Sequence, residues 1–186
     1  PCLNSFEKFR KQKKTKKEIL ALKPYLLSIG NLTNQKNFIF LIKAFSYFIK
    51  IKKNYNLIII GEGRDKKKLK KLIIYLKLKN KVHFLGKNKS INFFLKNCKY
   101  YCCTSLYEGM PNSIIEALNK NKPVISTSFD SGLDDLKKLG FKIKVSNGNY
   151  IKYAKDILAL KHNKQQNKFI ISKLNNNFQK NILNLI

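Results

Sequence analysis

Leu57-Ile58-Ile59-Ile60 sets four apolar, strand-favouring residues in succession, with Gly61-Glu62-Gly63 directly behind them. A strand with one wet face alternates polar and apolar residues, whereas an unbroken apolar run is covered on both faces, the condition of a parallel sheet. Such a strand needs helices above and below it, and the flanking sequence has the right period for them. From Asn37 to Ile51, Phe38, Leu41, Ile42, Phe45, Phe48 and Ile49 recur at the spacing of one helix face. After Asp65, which is placed to cap a helix, Leu69, Leu72, Ile73, Leu76 and Leu78 do the same. Further strands are expected at Tyr25 to Ile29, closed by Gly30, at Val82 to Leu85, followed by Gly86, at Tyr100 to Ser105, at Pro123 to Thr127 and at Phe141 to Val145. Ile91, Phe93, Phe94 and Leu95 crowd a short helix, and Asn149 to Leu160 forms another. Strands and helices in alternation give an α/β fold with a doubly wound parallel sheet, and ligands of such sheets bind beyond the carboxyl ends of the strands.

The stretch from Glu108 to Leu118, E-G-M-P-N-S-I-I-E-A-L, joins the fourth strand to a helix and carries two carboxylates. Ser113-x-x-Glu116 has the form of a capping box, so the helix is expected to begin at Ser113. Its first-turn N–H groups and the positive end of its dipole would suit a phosphate. Asn121 is placed to end that helix in a left-handed conformation.

Glu108 and Glu116, seven residues apart within S-L-Y-E-G-M-P-N-S-I-I-E-A-L, resemble the E-x7-E motif of retaining GT-B glycosyltransferases of family 4, the glycosyl transferases group 1. Four other segments resemble the family in the same order: Ser28 to Leu32 with Gln35-Lys36-Asn37-Phe38, Leu57 to Gly63, Val82 to Gly86, and Pro123 to Thr127. The resemblance implies a Rossmann-like, donor-binding, C-terminal half of a GT-B architecture. Residues 1–24 would be an interdomain lead-in, 25–160 the nucleotide-sugar-binding domain and 161–186 a helical tail, with an N-terminal acceptor domain expected elsewhere. By resemblance Glu108 contacts the donor sugar and Glu116 accepts hydrogen bonds from the ribose hydroxyls. Lys36 neutralises the donor diphosphate as the glycosidic bond breaks. Backbone around Gly109, Asn112 and Ser113 holds sugar and phosphate, while Gly61, Phe84 and Gly86 lie along the nucleotide. Asn31 departs from the family, which commonly has Arg there; Arg64 or Lys87 could compensate. Asp134 likewise stands where relatives carry a longer acid. The expected partners are a nucleotide diphosphate sugar and a glycan or lipid-linked acceptor of cell-surface polysaccharide type. Neither cofactor nor metal is expected.

A formal net charge of +29 ordinarily points to nucleic acid or an anionic membrane surface. Here lysines outnumber arginines 37 to 2, and Lys, Asn and Ile together make up 81 of 186 residues. Nucleic-acid surfaces favour the planar, bidentate guanidinium, so this bias has the look of AT-rich coding and no nucleic-acid partner is expected. Attraction to anionic lipid remains, with ~1 kcal/mol available per lysine close to such a surface. Cys2, Cys98, Cys102 and Cys103 form no C-x-x-C pair; Cys102 and Cys103 are expected on opposite faces of a strand as small apolar residues. Nothing approaches the ~18 apolar residues of a membrane span. The expected setting is a reducing cytoplasm, peripheral to a membrane. Two other readings are a nucleotide-sugar-binding module without turnover and, more remotely, a basic nucleic-acid-binding domain.

Overall fold

The computed structural model describes residues 15–129 and 132–160. The proposed terminal helix, with Phe169, Ile170, Leu174, Phe178 and Ile182, lies outside the described residues, as do His162 and most of the lead-in. In chain order the elements are α1 (Lys16–Leu20), β1 (Tyr25–Ile29), α2 (Phe38–Ile51), β2 (Asn56–Ile60), α3 (Lys66–Tyr75), β3 (Val82–Phe84), α4 (Ile91–Asn97), β4 (Tyr100–Cys103), α5 (Asn112–Asn119), β5 (Val124–Thr127), α6 (Leu133–Lys138), β6 (Ile143–Ser146) and α7 (Tyr150–Leu158). The six strands form one sheet in the order β3-β2-β1-β4-β5-β6, and each neighbouring pair is parallel.

The unbroken apolar run is covered on both faces, as its pattern demands. Leu57 and Ile59 enter a core shared with Phe38, Leu41, Phe45 and Phe48 of α2, Leu69 and Ile73 of α3, and Tyr153 and Ile157 of α7. Ile58 and Ile60 face the opposite core, with Ile19 of α1, Phe94 and Leu95 of α4, Ile114 and Leu118 of α5, and Leu133 and Leu136 of α6. Cys102 and Cys103 divide between the two cores in the same way. Burying one such side chain fully is worth about 1.5–3 kcal/mol, so β2 and α2 hold each other in place.

Three local expectations are corrected. The fifth strand starts after Pro123, and the sixth is displaced to Ile143–Ser146, because Phe141 is drawn into the second core ahead of the strand. Asp65 stands at the N-cap of α3, but its side chain makes no capping hydrogen bond. Helix α6 has no sequence signal, because two leucines and four charged residues are too short a pattern to show a helical period. By contrast, Asn121 does adopt a left-handed φ of 52° after α5.

At the carboxyl edge the loops after β1, β2 and β3 are bonded side by side. Gly30 N–H donates to the Ile60 carbonyl at 3.0 Å, Leu32 N–H to that of Glu62 at 2.9 Å, and Gly61 N–H to that of Gly86 at 3.0 Å. Gly61 has φ of 150° and a Cβ there would overlap the Gly30 carbonyl, so only glycine fits.

Candidate functional site

Strand order reverses direction between β1 and β4, the place where doubly wound sheets carry their ligand crevice between the loops that leave those two strands. Lys36 belongs to the first loop, as the last residue of a 3-10 turn at Asn34–Lys36, and Glu108 to the second. Separated by 72 positions in sequence, they form an ion pair between Lys36 Nζ and Glu108 Oε1. The lysine and glutamate side chains keep 20% and 10% of their exposure, so the pair is recessed yet within reach of a ligand. Gly30 makes this reach feasible, because a Cβ there would press on Lys36 Cδ and Cε at 3.0 Å.

Hydrogen bonds sew the two loops together. The buried Ser105 hydroxyl donates to Glu108 Oε1 at 2.6 Å, and Thr127 Oγ1, from β5, donates to the Ser105 carbonyl at 2.8 Å. Thr104 Oγ1 lies 2.9 Å from the Lys36 carbonyl, Leu106 N–H donates to the Gln35 carbonyl at 2.8 Å, and Gln35 Nε2 to the Tyr107 carbonyl at 3.0 Å. Below them Tyr153 of α7 places its hydroxyl 2.9 Å from the Cys103 carbonyl. The Lys36–Glu108 pair is thereby mounted on two strand ends, the arrangement that holds polar groups in a fixed geometry. Ser105, Thr104 and Thr127 carry little signal in the sequence beyond being small hydroxyl residues at the ends of buried strands.

The capping box does not form. Helix α5 begins at Asn112 behind Pro111, and no side chain caps it. Pro111 brings the chain into the first turn one residue early, which puts Ser113 inside the helix, where it lies against the Tyr101 hydroxyl. Burial, then the nearby Cys103, hold that phenol far above its ordinary pKa, so Tyr101 is a neutral partner. Glu116 is released from a capping role and is exposed on α5. In that first turn the Asn112 N–H donates to the Met110 carbonyl at 2.9 Å, and the Ile114 and Ile115 N–H groups donate to that of Pro111 at 2.9 and 3.2 Å.

The other expected residues fall along the same edge with differing surroundings. Gly109 is exposed and a Cβ there would meet nothing within 4 Å, so its loop stays open to solvent. Asn112 is exposed at the start of α5. Gly61 and Gly86 pair with each other in the loop layer, and Phe84 is half-buried against the core of the α2 face. Asn31, Arg64 and Lys87 are all exposed. His83 is structural, its Nε2 3.1 Å from Asn56 Oδ1. Gly132, at φ of 68°, packs so closely that a Cβ would sit 2.8 Å from Pro111 Cδ and 2.9 Å from the Gly109 carbonyl. Among the described residues no group of three His, Cys, Asp or Glu has the grouping of a metal site, and no helix is long and apolar enough to cross a membrane.

The family model for glycosyl transferases group 1 matches residues 7–182. An uncharacterised glycosyltransferase of Methanocaldococcus jannaschii is 41% identical over 129 residues, covering 68% of this chain and 32% of the relative. From Campylobacter jejuni, N-acetylgalactosamine-N,N'-diacetylbacillosaminyl-diphospho-undecaprenol 4-alpha-N-acetylgalactosaminyltransferase is 34% identical over 71% of this chain and 36% of its own length. The chain thus spans about a third of the curated relatives it matches. Among solved structures, a mutant of S. aureus TarM in complex with Fondaparinux, alpha-GlcNAc-glycerol and UDP superposes with a TM-score of 0.66 at 26% identity, covering 82% of this chain and 34% of that one.

Proposed function

The chain belongs to the glycosyl transferases group 1 family, and from that premise we propose that it is the donor-binding part of a retaining enzyme moving a hexose or N-acetylhexosamine from a nucleotide diphosphate sugar to a glycan or lipid-linked acceptor. The observation that carries this reading is the Lys36–Glu108 pair at the reversal of strand order. A cation and an anion at one recessed point match a donor whose diphosphate is anionic and whose sugar offers hydroxyl donors. In the free protein each neutralises the other. When donor enters, the ammonium turns to the phosphates and the carboxylate to the sugar, helped by the N-terminus of α5.

Bond cleavage leaves negative charge on the departing diphosphate, and charge that grows in the transition state is what fixed positive groups stabilise. Lys36 and the positive end of the α5 dipole supply it here. Glu116, exposed one turn along α5, accepts from the ribose hydroxyls, as a carboxylate can from a vicinal diol. The relatives support the substrate class: one is named for transfer onto a diphospho-undecaprenol glycan, and TarM was solved with UDP and a GlcNAc-glycerol.

Calorimetric titration of the chain with UDP and with uridine tests the assignment. Lys36→Ala should weaken UDP binding by ten-fold or more, on the ~1.5–3 kcal/mol scale of charged hydrogen bonds, and leave uridine nearly unaffected. Glu116→Gln should weaken both alike. Equal losses on both ligands for Lys36→Ala would remove the lysine from the diphosphate site.

A further inference from the structure

Lysines are spread over the whole chain, so their number singles out no face, but their neighbours do. Helix α3, Lys66–Tyr75, carries five lysines and no acid, and it ends in two exposed apolar residues, Ile74 at 48% and Tyr75 at 81% exposure. Beside it α2, Phe38–Ile51, also lacks any carboxylate. Between the two helices runs an open cleft of ≈360 Å³ lined by Ile39, Leu72 and Tyr75 and rimmed by Lys43, Lys68 and Lys71. The rim lysines are exposed. The acids nearest in sequence, Glu62 and Asp65, lie before α3 begins, and Glu62 is engaged by Lys66.

We propose that this α2–α3 face is a docking surface for an anionic lipid bilayer, with Tyr75, Ile74 and the cleft floor seated among headgroups and acyl-chain ends while Lys43, Lys68 and Lys71 meet the lipid phosphates. Charge complementarity selects this occupant. A second copy of the chain would bring like charges together, and residues 161–186, which contain lysines and no acid, would do the same. A bilayer accepts both parts of the surface at once: aromatic and aliphatic tips partition into the interface, and lysine stems lie along it with their ammonium groups at the phosphates. The donor crevice opens at the carboxyl edge of the sheet, whereas the cleft lies on one of its helical faces, so lipid contact there leaves the crevice uncovered.

The test is co-sedimentation of the full chain with phosphatidylcholine vesicles containing about one-third phosphatidylglycerol, against pure phosphatidylcholine, where only the anionic surface attracts lysines. Binding is expected on the anionic vesicles alone. The double variant Lys68→Glu/Lys71→Glu should lower it by about ten-fold or more, and Tyr75→Ser, which changes no charge, by several-fold. The comparison that decides is Lys120→Glu/Lys142→Glu, which alters net charge equally at exposed positions after α5, on the opposite helical layer, and before β6, the edge strand farthest from β3. Equal losses in the two double variants, an inert Tyr75→Ser, binding to pure phosphatidylcholine as strong as to the anionic mixture, or self-association in place of vesicle binding would each overturn the proposal. Circular dichroism of every variant confirms the fold. Because no nucleotide enters the experiment, its outcome is separate from that of the donor assignment.

Discussion

Ser105 is the residue on which the geometry of Glu108 turns. Its hydroxyl is buried, donates to Glu108 Oε1 at 2.6 Å, and stands 3.5 Å from the Cys103 thiol that can donate to it. Without it Glu108 would retain Lys36 but lose the contact that fixes its carboxylate from below. Ser105→Ala should therefore weaken a nucleotide diphosphate sugar more than the matching nucleoside diphosphate, by about five- to ten-fold, on the ~1–1.5 kcal/mol scale of one hydrogen bond. Calorimetry with both ligands checks it, and an equal loss for both would place Ser105 in general loop stability. Cys98 shows the contrasting case of a polar group outside the site. Burial pushes its thiol up to about 12, so it stays a neutral, apolar filler at the end of α4.

At the level of elements, the passage from the Lys36 turn into α2 depends on Asn37. It holds φ of 45° and ψ of 47°, a left-handed conformation, and its Oδ1 accepts from Phe40 N–H at 3.4 Å. Asparagine tolerates that backbone and caps the helix together, which few residues do. Asn37→Ala should cost about 1–2 kcal/mol in urea unfolding, since it loses the cap and strains the backbone, while Asn37→Gly should cost less because strain is relieved. A larger cost for glycine than for alanine would show that left-handed strain is not what position 37 has to relieve. Such details were partly legible. Helix α2 is recognisable from its apolar period, and Glu108 and Lys36 are marked as candidates by their place in a family pattern. The start of α5 was not, because a capping box and a proline entry compete for the same residues and only the folded turn decides between them. Helix α6 escaped for want of length, and Ser105 because a serine after a buried strand has many uses.

For the molecule as a whole, what no local pattern contains is the order β3-β2-β1-β4-β5-β6, and that order alone brings residues 36 and 108 together. Covering of β2 on both faces demanded a parallel sheet, yet which strand lies next to β1 is settled by packing of the complete helical layers. Long-range charge is a second property of the whole. With 39 basic and 10 acidic residues the folded chain repels itself, and compaction sharpens that repulsion. Ion pairs pull the other way, but those of Asp134 and Asp135 with Lys137 and Lys138 are exposed and contribute little. Added sodium chloride screens both effects, and the net sign follows the larger. Raising salt from about 0.01 to about 0.15 M shortens the Debye length from about 30 to about 8 Å, which removes repulsion between distant lysines while close pairs lose less. The melting temperature, followed by circular dichroism, should rise by about 2–8 °C, the shift expected for ~1–2 kcal/mol in a chain of this size. A fall instead would mean that the ten carboxylates outweigh the excess of lysine. Chloride is the suitable anion, since on the proposed function phosphate or nucleotide would also occupy Lys36 and confuse screening with binding.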